Sequence, residues 1–142
     1  MMAEDFSAYA AKVHVEFVSI HDEKGVQSMV EALMSRIALD CVDQGTRLIG
    51  HVKCIAEIEK EKYLACSVVG HDGKARCSGG LGRSTDRLEM VINVLQYGLT
   101  TMTLEKIVKD RAPKAFGADA KVVVETIGKD ESCERPRPIQ LV

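Results

Sequence analysis

Tryptophan is absent from this 142-residue chain, and Phe, Tyr and Trp together make up only 4% of it. That scarcity argues against a base-stacking platform for single-stranded nucleic acid, which needs aromatic faces. Charge of one sign is also missing: 19 Lys and Arg stand against 21 Asp and Glu, a formal net charge of −2. No global field draws the protein to polyanions, so nucleic-acid binding would have to rest on a local basic patch. No apolar run approaches the roughly 18 residues that read as a membrane-spanning helix, and no membrane partner is expected. The five cysteines, Cys41, Cys54, Cys66, Cys77 and Cys133, contain no C-x-x-C pair. Zinc-knuckle and thioredoxin patterns are thereby excluded. The opening MMAEDFSAYAAK has neither a basic nor an apolar segment, so it does not read as a signal peptide. A reducing cytoplasm is the expected setting, and no metal or cofactor is expected.

What is there is an ordinary globular composition, 46% hydrophobic and 28% charged, in a length that fits one domain. Residues 11–20 alternate, with Val13, Val15 and Phe17 on one side and His14 and Glu16 on the other, which predicts a strand with one buried face. Asp22 stands where an N-cap would, and Val26, Met29, Val30, Leu33, Ile37 and Cys41 follow at helical spacing up to Gly45; a helix over about 24–43 is expected. Three strands should follow over 46–81, with Leu48, Val52, Cys54, Ala56, Leu64, Cys66 and Val68 facing the core. Asp72-Gly73 is a two-residue hairpin signal, which would pair His71 with Lys74 and set Val68 opposite Cys77. From Thr85 a helix is expected, opened by Asp86 and Glu89 as a capping pattern and carrying two apolar stripes. A short helix at 104–111, capped by Thr103, and a strand at 119–127 complete the chain. The fold class read from this order, β-α-β-β-β-α-α-β, is α+β: a single-layer, mainly antiparallel sheet of about five strands with helices packed on one face. Residues 1–127 form the domain and 128–142 a polar C-terminal tail.

The stretch VVGHDGKARCSGGLGRSTDRLEMV, residues 68–91, is where a binding site is most legible. Glycines let a ligand approach the backbone, and a helix N-terminus behind them would attract an anion. Arg76, Gly80, Gly82, Arg83, Ser84 and Arg87 are the candidate ligand-binding residues. The segment resembles double-stranded-RNA-binding domains and the related N-terminal domain of a small-subunit ribosomal protein, in which a hairpin leads through a G-x-G-x-G-[KR] loop into a helix. Here the loop reads Gly80-Leu81-Gly82-Arg83. The resemblance implies recognition of RNA by shape and phosphate contacts; a phosphate-containing small molecule is the other ligand of this chemistry.

Two further function classes stay open. His14 and Glu16, with His51, lie on the polar side of their strands and are the candidate catalytic residues of a small metabolic enzyme. Alternatively the chain is a non-catalytic oligomeric accessory protein: Met90, Val94 and Tyr97, together with Ile49 and Ile55, are apolar residues left over for an interface. A homo-oligomer, with a dimer favoured, is the expected partner state. Cys54, Cys66 and Cys77 are expected on the core face as small hydrophobes.

Overall fold

The computed structural model describes residues 6–127; the tail expected at 128–142, with Cys133, lies outside them. Six strands and two helices follow in the order β1 (Phe6–His21), α1 (Glu23–Asp43), β2 (Leu48–Glu57), β3 (Tyr63–Val68), β4 (Arg76–Gly79), β5 (Thr85–Tyr97), α2 (Thr101–Arg111) and β6 (Lys121–Thr126). A single-turn 3₁₀ helix, Ala112–Lys114, follows α2. The strands form one antiparallel sheet ordered β4-β3-β2-β5-β1-β6. This is an α+β fold built on a single open sheet, with α1 and α2 packed on one face.

The helix expected from Thr85 is a strand, the largest correction to the sequence reading. Thr85–Tyr97 is β5, hydrogen-bonded to β1 on one side and β2 on the other. Leu88, Met90, Ile92, Val94 and Gln96 are buried at a period of two. On the opposite face Val91, Leu95 and Tyr97 are also apolar, with Glu89 and Asn93 among them, and that made the segment look like a helix covered on more than one side. A central strand that is apolar on both faces produces the same hydrophobicity, and β-branched Val91, Ile92 and Val94 favour it.

Smaller corrections have local causes. A register irregularity between Ile49 and His51 flips the parity of the first residues of β2. Leu48 is therefore exposed and Ile49 buried, the reverse of the alternation read from sequence; the backbone at Gly50 approaches Leu95 so closely that a Cβ there would sit 3.1 Å from its carbonyl oxygen. The β3–β4 turn closes from the Gly73 N–H to the Gly70 carbonyl, with Gly73 left-handed (φ +73°). Cys66 consequently pairs with Cys77 rather than with Gly79, a shift of two that keeps every side chain on its expected face. Asp22 does cap α1, accepting from the Gly25 N–H at 2.8 Å. α2 begins earlier than expected, capped by Thr100, which accepts from the Thr103 N–H at 3.1 Å.

The core lies between sheet and helices. Val26, Val30, Met34 and Ile37 of α1 and Leu104 and Val108 of α2 are fully buried against Val13, Val52, Leu64 and Ile92. One end of this layer is closed by a polar side chain. Gln96 is 0% exposed; its Nε2 donates to Ser7 Oγ (2.7 Å) and the Leu99 carbonyl (2.9 Å). Its Oε1 accepts from the Leu99 N–H at 3.0 Å and lies 2.6 Å from the Thr46 hydroxyl. All the hydrogen-bonding capacity of a buried amide is used, as burial requires.

Candidate functional site

The glycine-rich loop, residues 80–84, carries β4 into β5 and crosses the end of the sheet past β3 and β2. It runs from strand to strand, so the helix N-terminus expected behind it is not there. Its glycines answer to packing. Gly79 and Gly82 are left-handed, φ +76° and +89°. A Cβ on Gly79 would stand 2.4 Å from the Tyr63 carbonyl oxygen, and one on Gly82 would stand 2.7 Å from Lys62 Cδ. Leu81 plugs the loop into the core. The Gly82 N–H donates to Glu23 Oε2 at 2.9 Å: a carboxylate from the first turn of α1 already holds the donor an outside anion would use. A shallow depression of about 590 Å³ beside the loop has Glu23, Glu61 and Lys62 on its walls.

The basic candidates do not converge. Arg83 pairs with Glu59 at 3.3 Å. Arg76 lies on the edge strand opposite Ser67, while Arg87 is on β5 opposite Glu16, with β3 and β2 between them. Ser84 is exposed beside Arg83. Of the six residues, Gly80, Gly82, Arg83 and Ser84 share the loop, and Arg76 and Arg87 stand apart from it.

The sheet face opposite the helices collects the other candidates. His14 sits between two carboxylates: its Nδ1 is 2.7 Å from Glu89 on β5 and its Nε2 3.7 Å from Glu125 on β6. The Glu89 hydrogen bond raises the His14 pKa, partial burial opposes the rise, and the two negative charges add to it. Glu16, on the same face, lies opposite Arg87 and Lys121. His51 does not join them. It pairs with Leu95, six residues along β5 from Glu89, roughly 20 Å at a strand's rise of about 3.3 Å per residue. Burial, then Lys53, lowers its pKa. Glu89 is missed from sequence because the segment from Thr85 reads as helix, and Glu125 because the alternation at 119–127 shows a strand but not that it pairs with β1; the alternation of Leu88, Met90, Ile92 and Val94 is the signal that puts Glu89 on the outward face of a strand.

Between its charged residues this face mixes apolar side chains with Asn93 and Ser67. Leu48, Ile55 and Tyr63 are exposed, and Phe6 packs against Tyr97 with the rings tilted and their centroids 5.8 Å apart. Val91, Leu95 and Tyr97 of the central strand are half-buried. The interface stripe expected from sequence is therefore redistributed: Met90, Val94 and Ile49 belong to the core, while Tyr97 and Ile55 do face outward.

Two features were not anticipated. Cys66 and Cys77 form a disulfide across β3 and β4, where the sequence had suggested free thiols; Cys41 and Cys54 are free and buried. A groove of about 600 Å³ runs between the C-terminal end of α1 and α2, with Asp40, Asp43, Lys106 and Asp110 on its walls. Arg111 donates to Asp40 through both Nε and Nη2 and ties the two helices together there. Among the described residues, no group of three or more His, Cys, Asp or Glu side chains is arranged to hold a metal ion, and no helix is long and apolar enough to cross a membrane. Set against known proteins, the chain matches no family model, no curated protein and no solved structure.

Proposed function

We propose that this protein is an interaction module that pairs with a second copy of itself through the open face of its sheet. One observation carries the reading: β5, an interior strand paired with β2 and β1, presents Val91, Leu95 and Tyr97 to the face that neither α1 nor α2 covers among the described residues. Antiparallel sheets that face water are polar on that side, and a contiguous apolar patch left outside the core marks an interface. The size is adequate. Six strands at about 4.8 Å spacing and nine residues at about 3.3 Å give a face of roughly 25 by 30 Å, close to the roughly 800 Å² each partner contributes to a stable interface.

Charge placement supports a particular two-fold. Lys53 and Glu57 stand two residues either side of Ile55 on β2, all facing outward. A two-fold axis lying in the interface and crossing the strands at the Ile55–Val91 row sets Ile55 against its own copy and Lys53 over Glu57 of the other. On β2 this arrangement is self-complementary, as a two-fold dimer requires; further along the same row Lys12 and Glu125, neighbours across β1 and β6, meet their own copies.

Sedimentation equilibrium of the full chain tests this. A dimer is expected, reduced to monomer by Ile55→Glu, which brings two carboxylates together. Lys53→Glu should weaken it and Lys53→Glu/Glu57→Lys restore it. A wild-type chain that stays monomeric at several hundred micromolar overturns the reading, and so does a dimer indifferent to Ile55→Glu. Anion or RNA binding at the glycine-rich loop, and catalysis by His14, Glu16 and His51, are supported less well, because Glu23 fills the loop and His51 lies far from His14.

A further inference from the structure

The row of three cysteines on the core face is not used by the proposed interface, which lies on the opposite side of the sheet. Cys54 on β2, Cys66 on β3 and Cys77 on β4 are successive partners in register. We propose that the Cys66–Cys77 disulfide is a thiol–disulfide exchange site, entered at Cys77 by a small thiol or dithiol, and that it latches β4 and the glycine-rich loop to the sheet.

The pleat explains why Cys66 is joined outward. In an antiparallel sheet both backbone polar groups of a residue point to the same side. Cys66 and Cys77, with Cα atoms 4.0 Å apart, are the closely spaced kind of pair, in which side chains approach best. Cys66 therefore aims its own N–H and C=O at β2, which makes Cys54–Cys66 the wider, hydrogen-bonded pair. Cys54 is left as a thiol, 1% exposed. Burial pushes its pKa up to about 12, so it stays protonated and does not compete for Cys66.

Access decides where exchange starts. Cys66 is 1% exposed, whereas Cys77 is half-buried on a strand that, among the described residues, forms the edge of the sheet. An incoming thiolate attacks Cys77 Sγ; the S–S bond breaks, and Cys66 leaves as a thiolate that takes up a proton. Cys77 then carries a mixed disulfide. The second thiolate of a dithiol attacks its own sulfur in that mixed disulfide and releases Cys77, so two electrons pass from the dithiol to the protein and the reagent closes to a cyclic disulfide.

Opening the bond has a structural reach. β4 is four residues long and, among the described residues, pairs only with β3, through Leu64–Gly79, Ala65–Ser78, Cys66–Cys77 and Ser67–Arg76. So short a strand at an edge is the part of a sheet least able to hold itself. With the latch open, β4 frays from β3, and residues 80–82 lose the fixed start that brings Gly82 to Glu23.

The test uses the full chain with Cys133→Ser, so that only the cysteines described above can report. The aerobically purified protein is exposed to glutathione alone, quenched with N-ethylmaleimide, and mapped by peptide mass spectrometry. A second sample is reduced with dithiothreitol, and its amide hydrogen exchange is measured. The expected results are one glutathione at Cys77 and alkylation at Cys66. On reduction, exchange should rise at least tenfold across residues 76–82, with β1 and β5 unchanged. Cys66→Ser, which leaves Cys77 as a single thiol, should exchange like the reduced protein. Glutathione on Cys66 or Cys54, Cys66 and Cys77 found unlinked after aerobic purification, unchanged exchange in β4, or loss of protection throughout the chain would each overturn the proposal.

Discussion

The two faces of β5 make the most informative comparison in the molecule. Ile92 and Val91 are adjacent, both β-branched and apolar, and both paired on either side. Ile92 is 0% exposed beneath the helices; Val91 is half-buried on the open face. On the proposed reading, folding and self-association divide between these faces. The covered side accounts for stability of the single chain, and the open side has apolar surface the single chain does not need. Substitutions on the two sides should therefore register in different experiments.

The largest effect is expected on the covered side. Ile92→Ala removes three carbons from a fully buried position between Ala11 and Cys54. It should lower unfolding free energy by about 2–5 kcal/mol, read as a shift of the urea midpoint. Val91→Ala should change the stability of the monomer by less than about 1 kcal/mol and instead weaken self-association. Equal losses of monomer stability at the two positions would erase the distinction between the faces.

Gln96 comes next, as the polar residue of the covered side. Gln96→Leu keeps the apolar volume but takes away the acceptor of the Leu99 N–H and the Nε2 donor to Ser7 Oγ and the Leu99 carbonyl, while the Ser7 and Thr46 hydroxyls keep the Leu99 and Tyr97 carbonyls as acceptors. Leaving buried groups unsatisfied costs about 1–3 kcal/mol, so urea unfolding should show a loss of that order despite the greater hydrophobicity of Leu. A stabilised Gln96→Leu chain would mean those groups find other partners.

The edge provides the third comparison, between two left-handed glycines. A methyl on Gly79 meets the Tyr63 carbonyl, whereas one on Gly117 (φ +97°) meets nothing within 4 Å. Both substitutions to Ala carry the strain of positive φ, about 1–3 kcal/mol. Only Gly79→Ala should add to it, and only there should amide protection in β4 fall. Equal losses would show that the close approach to β3 is not what Gly79 is for.

How much of this was legible in the sequence follows the same division. The alternation of Val13, Val15 and Phe17 and the spacing of Val26, Val30 and Ile37 identified β1 and α1, because one face of each is apolar and the other polar. The hairpin of β3 and β4 was legible in parity but not in register, since Asp72-Gly73 suits more than one turn and only the pairing of Cys66 with Cys77 decides among them. β5 was illegible for a physical reason: its outward residues Val91, Leu95 and Tyr97 erase the alternation that marks a strand. The misreading then spread to the site, because a helix at Thr85 would have put an anion-attracting terminus behind Gly82. Glu23, far away in sequence, could not be foreseen as the acceptor for that N–H. The same property that hid β5 is the one that points to its open face as an interface.

The smallest effect concerns the charged residues of that face. His14 has its pKa raised above the ordinary 6.5, first by the hydrogen bond to Glu89 and then by the charges of Glu89 and Glu125. Because the folded-state pKa is the higher one, the stability His14 adds is fully present below the unfolded value and is lost as pH rises through the raised value. Glu89→Gln should lower the His14 pKa toward 6.5 without restoring it fully, since Glu125 remains at 3.7 Å. NMR titration of the imidazole resonances reads this directly, and Val91, on the same face but uncharged, provides a control: Val91→Ala should leave the His14 titration where it is. A His14 that titrates identically with and without the Glu89 carboxylate would show that the pair does not persist in solution. The charges of the open face would then be independently solvated, and its apolar residues alone would have to specify how two copies meet.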